Sequence, residues 1–368
     1  ECGAAINRHL VADGLAPLAG LELGALIAPG DAACLQERRC IVERAPSVSV
    51  VVCTRDRTDL LAICLPSLLA QEYREFEIIV VDNAPRTSAT ADLIATEYAG
   101  EPRIRYVRED RPGLSWARNR GLAEARNEIV AFTDDDARAD PAWLAELARG
   151  FEAAPDVACV TGATLPAELE TQAQAWFEQF GGFNKYRGWE AQTIRLSEPP
   201  ADDPFFPYLT PRYGAGVNMA YRRNRLLALG GFDPALGAGT PTSGGEDIEA
   251  FLRVITAGHA LRVQPTALLY HTHRREYAAL HRQLYGCGKA LTAYVASAIA
   301  ADRRHLWRMA GMAWRAPGHL LGRRSGRNIA KQSDYPAPLT RAELMGMLWG
   351  AFAYLRSRRL ARRLAEQG

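Results

Sequence analysis

The sequence of 368 residues lacks the cysteine patterns of zinc sites and disulfide frameworks. Its seven cysteines include no C-x-x-C pair and are odd in number, and two of them lie in segments predicted to be core. Disulfides persist mainly in oxidising compartments. The pattern therefore predicts a reduced, cytoplasmic location.

Long apolar runs, leader signals and repeats are also lacking. No apolar run approaches the roughly 20 residues of a membrane-spanning helix, and no charged segment precedes an apolar stretch near Glu1. We therefore expect neither a spanning helix nor a signal peptide. The length of 368 residues fits one large or two ordinary domains, and the 48% of hydrophobic residues is ample for a core.

The net charge of +2 is unevenly distributed. Residues 301–368 contain 14 Lys or Arg and 4 Asp or Glu, so this segment carries +10 and residues 1–300 carry −8. The segment resembles a basic amphipathic surface for an anionic membrane, and it fits a solvated helix packed on the rest of the protein equally well. Nucleic-acid binding is disfavoured by the acidic remainder. The basic side chains are Arg303, Arg304, Arg308, Arg315, Arg323, Arg324 and Arg327, interleaved with Leu306, Trp307, Met309, Met312, Trp314, Leu320 and Leu321.

Three consecutive aspartates, Asp134, Asp135 and Asp136, follow the apolar run 128–133. Carboxylates at the carboxyl end of a buried strand are typical of ligand crevices in open α/β sheets, and their oxygens suit Mg²⁺ or Mn²⁺. Alone, the cluster fits equally well a turn that caps a helix beginning near Asp140.

Polar side chains follow two more predicted strands upstream. Segments 47–53 and 77–81 are nearly continuous apolar runs, typical of strands buried on both faces, and each precedes a predicted helix. This alternation predicts a parallel sheet, with a third strand at 103–107 and helices at 88–99 and 117–126. The strand ends would gather residues 54–57, Asp82, Asn83 and residues 134–136 at one edge.

These motifs resemble the family 2 glycosyltransferases of the GT-A fold. The resemblance covers about 47–290 and is carried, in the family's order, by residues 50–57, 80–83, 113–121, 132–136, 216–222, 230–233, 245–249 and 270–274. It implies a Rossmann-like, mostly parallel sheet flanked by helices. We expect an N-terminal extension at 1–46, a nucleotide-sugar half at about 47–140, an acceptor half at about 141–290, and a basic amphipathic helical region at 291–368.

The resemblance also implies a donor site. Asp136 and Asp134 match the metal-binding Asp-x-Asp motif, in which Asp134 would also lie near the ribose. Asp82 matches the position that contacts the base or ribose, unless it caps a helix. Arg118 would reach the diphosphate or pair with a carboxylate. The implied nucleotide-sugar residues are Thr54, Arg55, Asp56, Arg57, Asp82, Asn83, Arg118, Asn119, Asp134 and Asp135.

Catalysis of sugar transfer needs a base, because a hydroxyl attacks poorly until its proton is withdrawn. The resemblance assigns this role to Asp247, with Glu246 as second choice, although both also fit an ordinary acidic first turn of a helix. It further implies that His271, with His273 close by on a strand ending near Tyr270, completes the shell of a Mn²⁺ or Mg²⁺ ion.

Two further regions have open interpretations. Residues 10–18 and 21–26 predict small apolar elements without a function. Aromatic residues between 174 and 213 fit an acceptor wall or core filler equally; they are Trp176, Phe177, Phe180, Phe183, Tyr186, Trp189, Phe205, Phe206 and Tyr208.

Together these features predict a metal-dependent inverting glycosyltransferase. It would move a sugar from a nucleoside diphosphate sugar to a hydroxyl acceptor, either a glycan, a lipid-linked sugar or a secondary metabolite. A nucleotidyltransferase would favour a Gly-rich loop with lysine where residues 54–57 stand, and a silent sugar-binding protein would not need intact Asp136 and Asp247. We expect a cytoplasmic enzyme, associated with the inner face of the membrane if the basic segment binds there, and no nucleic-acid partner.

Overall fold

Four parallel strands form one half of a sheet that has nine strands within the described residues. The computed structural model describes residues 33–44, 46–183, 188–322, 325 and 328–367. The four strands are β1 (Val48–Thr54), β2 (Phe76–Asn83), β3 (Ile104–Glu109) and β4 (Ile129–Asp134). They lie in the order β3-β2-β1-β4 and pair in parallel, which confirms the prediction from the apolar runs.

Helices connect these strands, as the alternating pattern predicted. They are α2 (Thr58–Leu69), α3 (Ala89–Glu97) and α4 (Leu114–Glu124), whereas α1 (Ala33–Arg44) belongs to a different unit of the chain. Gly121 of α4 lies so close to the sheet that a Cβ there would overlap Val51. This close approach lets α4 cover β1 and brings its first turn to the edge where the strands end.

The other half of the sheet is mainly antiparallel, and the sequence did not predict most of it. Strand β8 (Met219–Arg222) runs antiparallel between β4 and β6 (Val157–Pro166), and β6 pairs in parallel with β9 (Ala260–His271). The short strands β5 (Ala137–Ala139) and β7 (Gln192–Ile194) both pair antiparallel with β9. Four helices accompany these strands: α5 (Trp143–Glu152), α6 (Gln172–Phe180), α7 (Arg223–Ala228) and α8 (Glu246–Thr256).

The C-terminal part is helical, as predicted. Helix α9 (Tyr277–Ala301) contains the boundary that we expected near residue 290, and α10 (Arg304–Ala310), α11 (Ala316–Leu321) and α12 (Ala337–Gln367) follow it. Within the described part of the chain, no helix has both the length and the apolar character needed to cross a bilayer. Several residues that carried predictions lie outside the described residues: 10–18, 21–26, Tyr186, Arg323, Arg324 and Arg327.

Candidate active site

The strand ends gather the predicted polar residues at one edge of the sheet. In the strand register Thr54 lies beside Asp82 on one side, and Cys53 lies beside Asp134 on the other. Thr54 Oγ1 donates a 2.7 Å hydrogen bond to Asp135 Oδ2. Helix α5 begins at Trp143 without a side-chain cap, so the three aspartates do not cap it. The convergence inferred from the sequence is therefore present.

Arg57 neutralises two of these aspartates. Its guanidinium lies 2.7 Å from Asp135 Oδ1 and 2.6 Å from Asp136 Oδ2. Burial raises the pKa of Asp135 to about 7, although Arg57 and Thr54 oppose this shift. Burial also acts on Asp136, but the hydrogen bond and charge of His271, together with Arg57, hold the pKa of Asp136 below its usual range. Asp136 is thus the carboxylate held in its ionised form.

A chain of two histidines and one glutamate stands behind Asp136. His271 Nε2 lies 3.1 Å from Asp136 Oδ1, His271 Nδ1 lies 3.0 Å from His273 Nδ1, and His273 Nε2 lies 2.8 Å from Glu178 Oε1. His271 lines the cavity, whereas both ring nitrogens of His273 face protein partners. The two imidazole rings thereby connect Asp136 to Glu178 on α6.

Arg118 links Asp134, at the end of β4, to Glu246 and Gly216 on the opposite side of the site. Its Nη1 donates to Glu246 Oε1 at 2.7 Å, and its Nη2 contacts Asp134 Oδ1 at 3.2 Å and the backbone O of Gly216 at 3.0 Å. Arg118 and Glu246 are almost completely buried. Of the two roles expected for Arg118, the structure shows the carboxylate pair.

Asp247 faces the cavity from the first turn of α8. Its Oδ2 accepts a 2.6 Å hydrogen bond from the backbone N–H of Gly216, and its Oδ1 accepts one of 2.8 Å from Ile248. The preceding loop is closed by a bridge between Gly237 and Gly244. Gly245, with φ of 101°, then turns the chain into α8 in a conformation that favours glycine. Both carboxylate oxygens are therefore fixed by backbone groups.

Of the other residues predicted to bind the nucleotide sugar, some line the cavity and others lie away from it. Arg55, Arg57 and Asn83 line the cavity, and Asn83 Oδ1 also accepts from Gly113 N at 2.9 Å. Asp82 is buried beneath Tyr106, whose hydroxyl donates to it at 3.1 Å; because α3 begins only at Ala89, Asp82 caps no helix.

Asp56 and Asn119 do not reach the cavity. Asp56 Oδ1 accepts from the backbone N–H of Arg86 at 3.0 Å. Asn119 Nδ2 donates to the backbone O of Phe232 at 2.8 Å, and its Oδ1 accepts from Phe232 N at 2.7 Å. The Asn119 side chain thus holds the backbone of Phe232 through two hydrogen bonds, whereas we had expected Asn119 to contact the nucleotide sugar.

The cavity has a volume of about 1840 Å³ and two chemically different parts. One part is lined by the strand-end residues and by Asp247. The other is lined by apolar side chains of α9 and α10 and the segments that follow: Leu291, Val295, Ile299, Leu306, Met309, Met312 and Leu320. Of the aromatic stretch, Phe177, Phe180, Phe183, Phe205 and Tyr208 line the cavity, whereas Trp189 is exposed.

The side chains available as metal ligands fit a divalent ion only in part. Within the described ranges, no group of three or more His, Cys, Asp or Glu side chains is placed to hold a metal ion. The facing pair of Asp136 and His271 offers one oxygen and one nitrogen. Magnesium is commonly bound by one or two carboxylates together with substrate phosphates, so this pair fits a metal that is completed by a bound substrate.

Two contributors to the site were not predicted from the sequence. Glu178 lies on α6 and completes the histidine chain, and the backbone of Gly216 joins Arg118 to Asp247. The motif at residues 216–222 contributes to the family resemblance, but the role of Gly216 depends on its backbone carbonyl and N–H rather than on a side chain. Glu178 belongs to no motif that we recognised.

Family models match most of the chain that carries these residues. The model described as glycosyl transferase family 2 matches residues 49–207, and that described as glycosyl transferase family group 2 matches residues 129–324, which is more than half of the chain.

Curated relatives are similar over part of their length. A glucosyl-dolichyl phosphate glucuronosyltransferase of Haloferax volcanii is 25% identical over 197 residues, which are 52% of this chain and 57% of that protein. An O-antigen biosynthesis protein of Myxococcus xanthus is 33% identical over 239 residues, 62% of this chain and 18% of that protein. The chain therefore spans little more than half, or far less, of the relatives it matches.

A solved structure shares the architecture. A mannosyltransferase from Pyrobaculum calidifontis, in complex with GDP-Man and Mn²⁺, superimposes with a TM-score of 0.52 at 16% identity, covering 89% of this chain and 79% of that one. At this identity the likeness shows the fold alone, and it confirms the fold class predicted from the sequence.

Proposed function

The chain belongs to the family 2 glycosyltransferases and has their GT-A fold, and we propose that it transfers a sugar from a nucleoside diphosphate sugar to a hydroxyl acceptor with inversion. One observation carries the proposal: the aspartates at the end of β4 and Asp247 on α8 open onto the same cavity. A donor site and a base are thereby available to one reaction. The structural neighbour's complex with GDP-Man supports a nucleotide-sugar donor.

Asp247 is the proposed general base. Its carboxylate is held by two backbone N–H groups and lines the cavity. The acceptor oxygen would attack the anomeric carbon while the bond from that carbon to the diphosphate oxygen breaks. The hydroxyl proton passes to Asp247 as the attack proceeds, and the leaving diphosphate keeps the bonding electron pair.

Arg57 has a separate role at the donor end. It offsets the charges of Asp135 and Asp136, which lowers the repulsion that a polyanionic diphosphate would meet at the aspartates. The buried Arg118 is engaged by Glu246 and Asp134, so we assign it to positioning α8 against β4.

We propose Asp136 and His271 as the residues that would hold Mn²⁺ or Mg²⁺. A bound divalent ion would stabilise the negative charge that develops on the leaving diphosphate. His273, which contacts His271 on one side and Glu178 on the other, would orient the His271 ring for such an ion. Asp134 lies near this pair but is engaged by Arg118.

The proposed acceptor is a hydroxyl compound with an apolar portion, such as a lipid-linked sugar. The apolar side chains of α9 and α10 line the same cavity as Asp247, and the similar Haloferax protein is named as acting with a dolichyl phosphate. An acceptor of this kind places the enzyme at a membrane surface. The net charge of +10 in residues 301–368 supports peripheral contact with an anionic membrane.

Donor and metal binding are tested by measuring the thermal midpoint with UDP, GDP, dTDP or CMP, each with and without Mn²⁺. We expect one nucleoside diphosphate to raise the midpoint only when Mn²⁺ is present, because a ligand that binds the folded state stabilises it by about 2.7 kcal/mol at 100 times its Kd. The variant Asp136→Asn should lose the Mn²⁺-dependent part of this shift.

The matched control is Asp110→Asn, which changes an exposed aspartate that pairs with Arg108. It should keep the full shift. Absence of any shift with every nucleotide at several millimolar would contradict the proposed donor site.

A further inference from the structure

The C-terminal helix α12 exposes a continuous apolar stripe. Leu348 and Phe352 are 74% and 63% exposed, and Met345, Trp349 and Leu355 are each about half exposed. These positions recur at intervals of three and four residues, so they share one face of the helix. Within the described part of the chain, this face is left in contact with solvent.

The opposite face of α12 fixes which way the stripe points. Ala342 and Ala353 are buried, and a Cβ placed on Gly346 would overlap the backbone O of Tyr285 in α9. A Cβ on Gly350 would likewise overlap Thr292 and Lys289 of α9. Helix α12 therefore packs against α9 through small residues at close range and cannot rotate its apolar stripe inward.

Arginines extend the same face towards the C-terminus. Arg356, Arg359 and Arg363 follow Phe352 by four, seven and eleven residues, and all three are exposed. The acidic residues of α12 are Glu343, which is buried, and Glu366. The face thus consists of an apolar stripe followed by a cluster of positive charge.

We propose that this face of α12 docks on an anionic lipid bilayer. Apolar side chains with a tryptophan, flanked by arginines on an amphipathic helix, are the composition of helices that lie in the membrane interface. A second copy of this chain fits less well, because the facing α12 would offer these arginines little acidic charge: Glu343 is buried, which leaves Glu366. This inference rests on the proposed function in one respect: it names the membrane surface at which such an enzyme would meet a lipid-linked acceptor.

A second segment has the same composition. Trp307 and Trp314 are 76% and 74% exposed, and Arg304, Arg308 and Arg315 beside them are exposed as well. This segment also contributes Leu306, Met309 and Met312 to the apolar part of the cavity. Docking there would bring that part of the cavity near the hydrocarbon from which a lipid-linked acceptor would enter.

The test is sedimentation of the full-length chain with vesicles of phosphatidylcholine alone or with 30% phosphatidylglycerol. We expect binding to the anionic vesicles, and a loss of at least about tenfold in the partition coefficient for the double variant Trp349→Ser/Phe352→Ser. The triple variant Arg356→Gln/Arg359→Gln/Arg363→Gln should lose roughly fivefold for each charge on anionic vesicles.

Matched controls remove the same kinds of side chain elsewhere. Ile63→Ser/Leu169→Ser changes two apolar residues that are more than half exposed, and Arg74→Gln/Arg126→Gln/Arg225→Gln changes three exposed arginines. Both control variants should bind like the unmodified chain.

Three results would overturn the proposal. They are absence of binding to anionic vesicles, equal loss in the test and control variants, and a dimer that dissociates in the Trp349→Ser/Phe352→Ser variant. The last result would show that a second copy covers the stripe. Vesicle binding needs no turnover, so it can fail while nucleotide binding succeeds, and the reverse.

Discussion

Glu246 and Asp247 are adjacent in sequence but lie in opposite environments. Glu246 is buried against Arg118, and burial together with the charge of Asp247 raises the pKa of Glu246 to about 7 despite that arginine. Asp247 is only partly buried and is held at the cavity by backbone N–H groups. The geometry therefore separates two carboxylates that sequence alone left as first and second choice for the base.

We expect Asp247→Asn to abolish most of the turnover without weakening donor binding. An amide cannot accept the hydroxyl proton, and loss of a general base typically lowers kcat by about 10²–10⁴. The thermal shift produced by the nucleotide and Mn²⁺ should stay unchanged, because in the proposed mechanism Asp247 acts on the acceptor hydroxyl. Steady-state kinetics with the identified donor measures the first effect.

Glu246→Gln is the matched comparison. Arg118 keeps its contact with Asp134 and an amide oxygen at position 246, so the variant weakens one charge-assisted hydrogen bond at a cost of about 1.5–3 kcal/mol. We therefore expect a lower thermal midpoint, and a kcat that changes little at a temperature where the variant is folded. If Asp247→Asn kept more than a tenth of the turnover while Glu246→Gln lost it, the base would be Glu246.

The predictability of the site differs from residue to residue. Thr54, Asp82 and Asp134 could be placed together because parallel strands end at the same edge. Arg118 and Asn119 were treated alike, yet neighbours on a helix point about 100° apart, so Arg118 enters the site while Asn119 clamps Phe232. Such directions depend on how α4 is rotated on the sheet, which spacing does not reveal.

Helices α9 and α12 pack at a distance that only glycine allows. A Cβ added to Gly288 of α9 would overlap the backbone of Glu343 in α12. A Cβ added to Gly346 or Gly350 of α12 would overlap the backbone of α9. Glycine inside a helix costs about 1 kcal/mol relative to alanine. We infer that the close packing offsets this cost.

The variant Gly350→Ala should therefore destabilise the protein. The gain in helix propensity is about 1 kcal/mol, but overlap with Thr292 and the backbone of Lys289 forces the helices apart, and overpacking costs typically about 1–3 kcal/mol. A lower thermal midpoint is expected, as measured by calorimetry.

Gly318→Ala provides the control within α11. A Cβ at Gly318 meets no atom within 4 Å, so the propensity gain stands alone and the midpoint should stay the same or rise. An increase of stability in both variants would show that α9 and α12 are not packed as closely as described.

Strand β9 shows why the second half of the sheet escaped prediction. Only 267–270 was expected as strand, because the polar residues Gln264 and Thr266 interrupt the apolar run of Ala260–His271. In the structure both donate to Glu146 of α5, at 3.2 and 2.6 Å, and a register shift opposite Gly162 accommodates them. The buried Gln264 is tolerated because it has a hydrogen-bond partner, and that partner, Glu146, is distant in sequence.

At the scale of the whole molecule, the C-terminal helices share the core of the sheet. One buried cluster contains Phe132 and Tyr221 from the strands, Tyr294 from α9 and Tyr354 from α12. Leu339 of α12 joins a second cluster with Phe177 and residues of α9. Residues 45–368 form one unit by their contacts, so we infer that the catalytic and C-terminal regions fold together.

We expect removal of residues 337–368 to destabilise the whole unit rather than detach an appendage. The truncation would expose the face of α9 that packs on α12 and would open both clusters, and in a protein of this size each kcal/mol shifts the midpoint by roughly 2–4 °C. Calorimetry should show one transition for residues 45–368, and the midpoint of this transition should fall by at least about 10 °C in the truncated chain. Deleting only residues 365–368, which lie beyond the clusters, should leave the midpoint in place. An unchanged midpoint after the larger deletion would mean instead that α12 is a dispensable attachment, and the orientation of its apolar stripe would then no longer be fixed by the core.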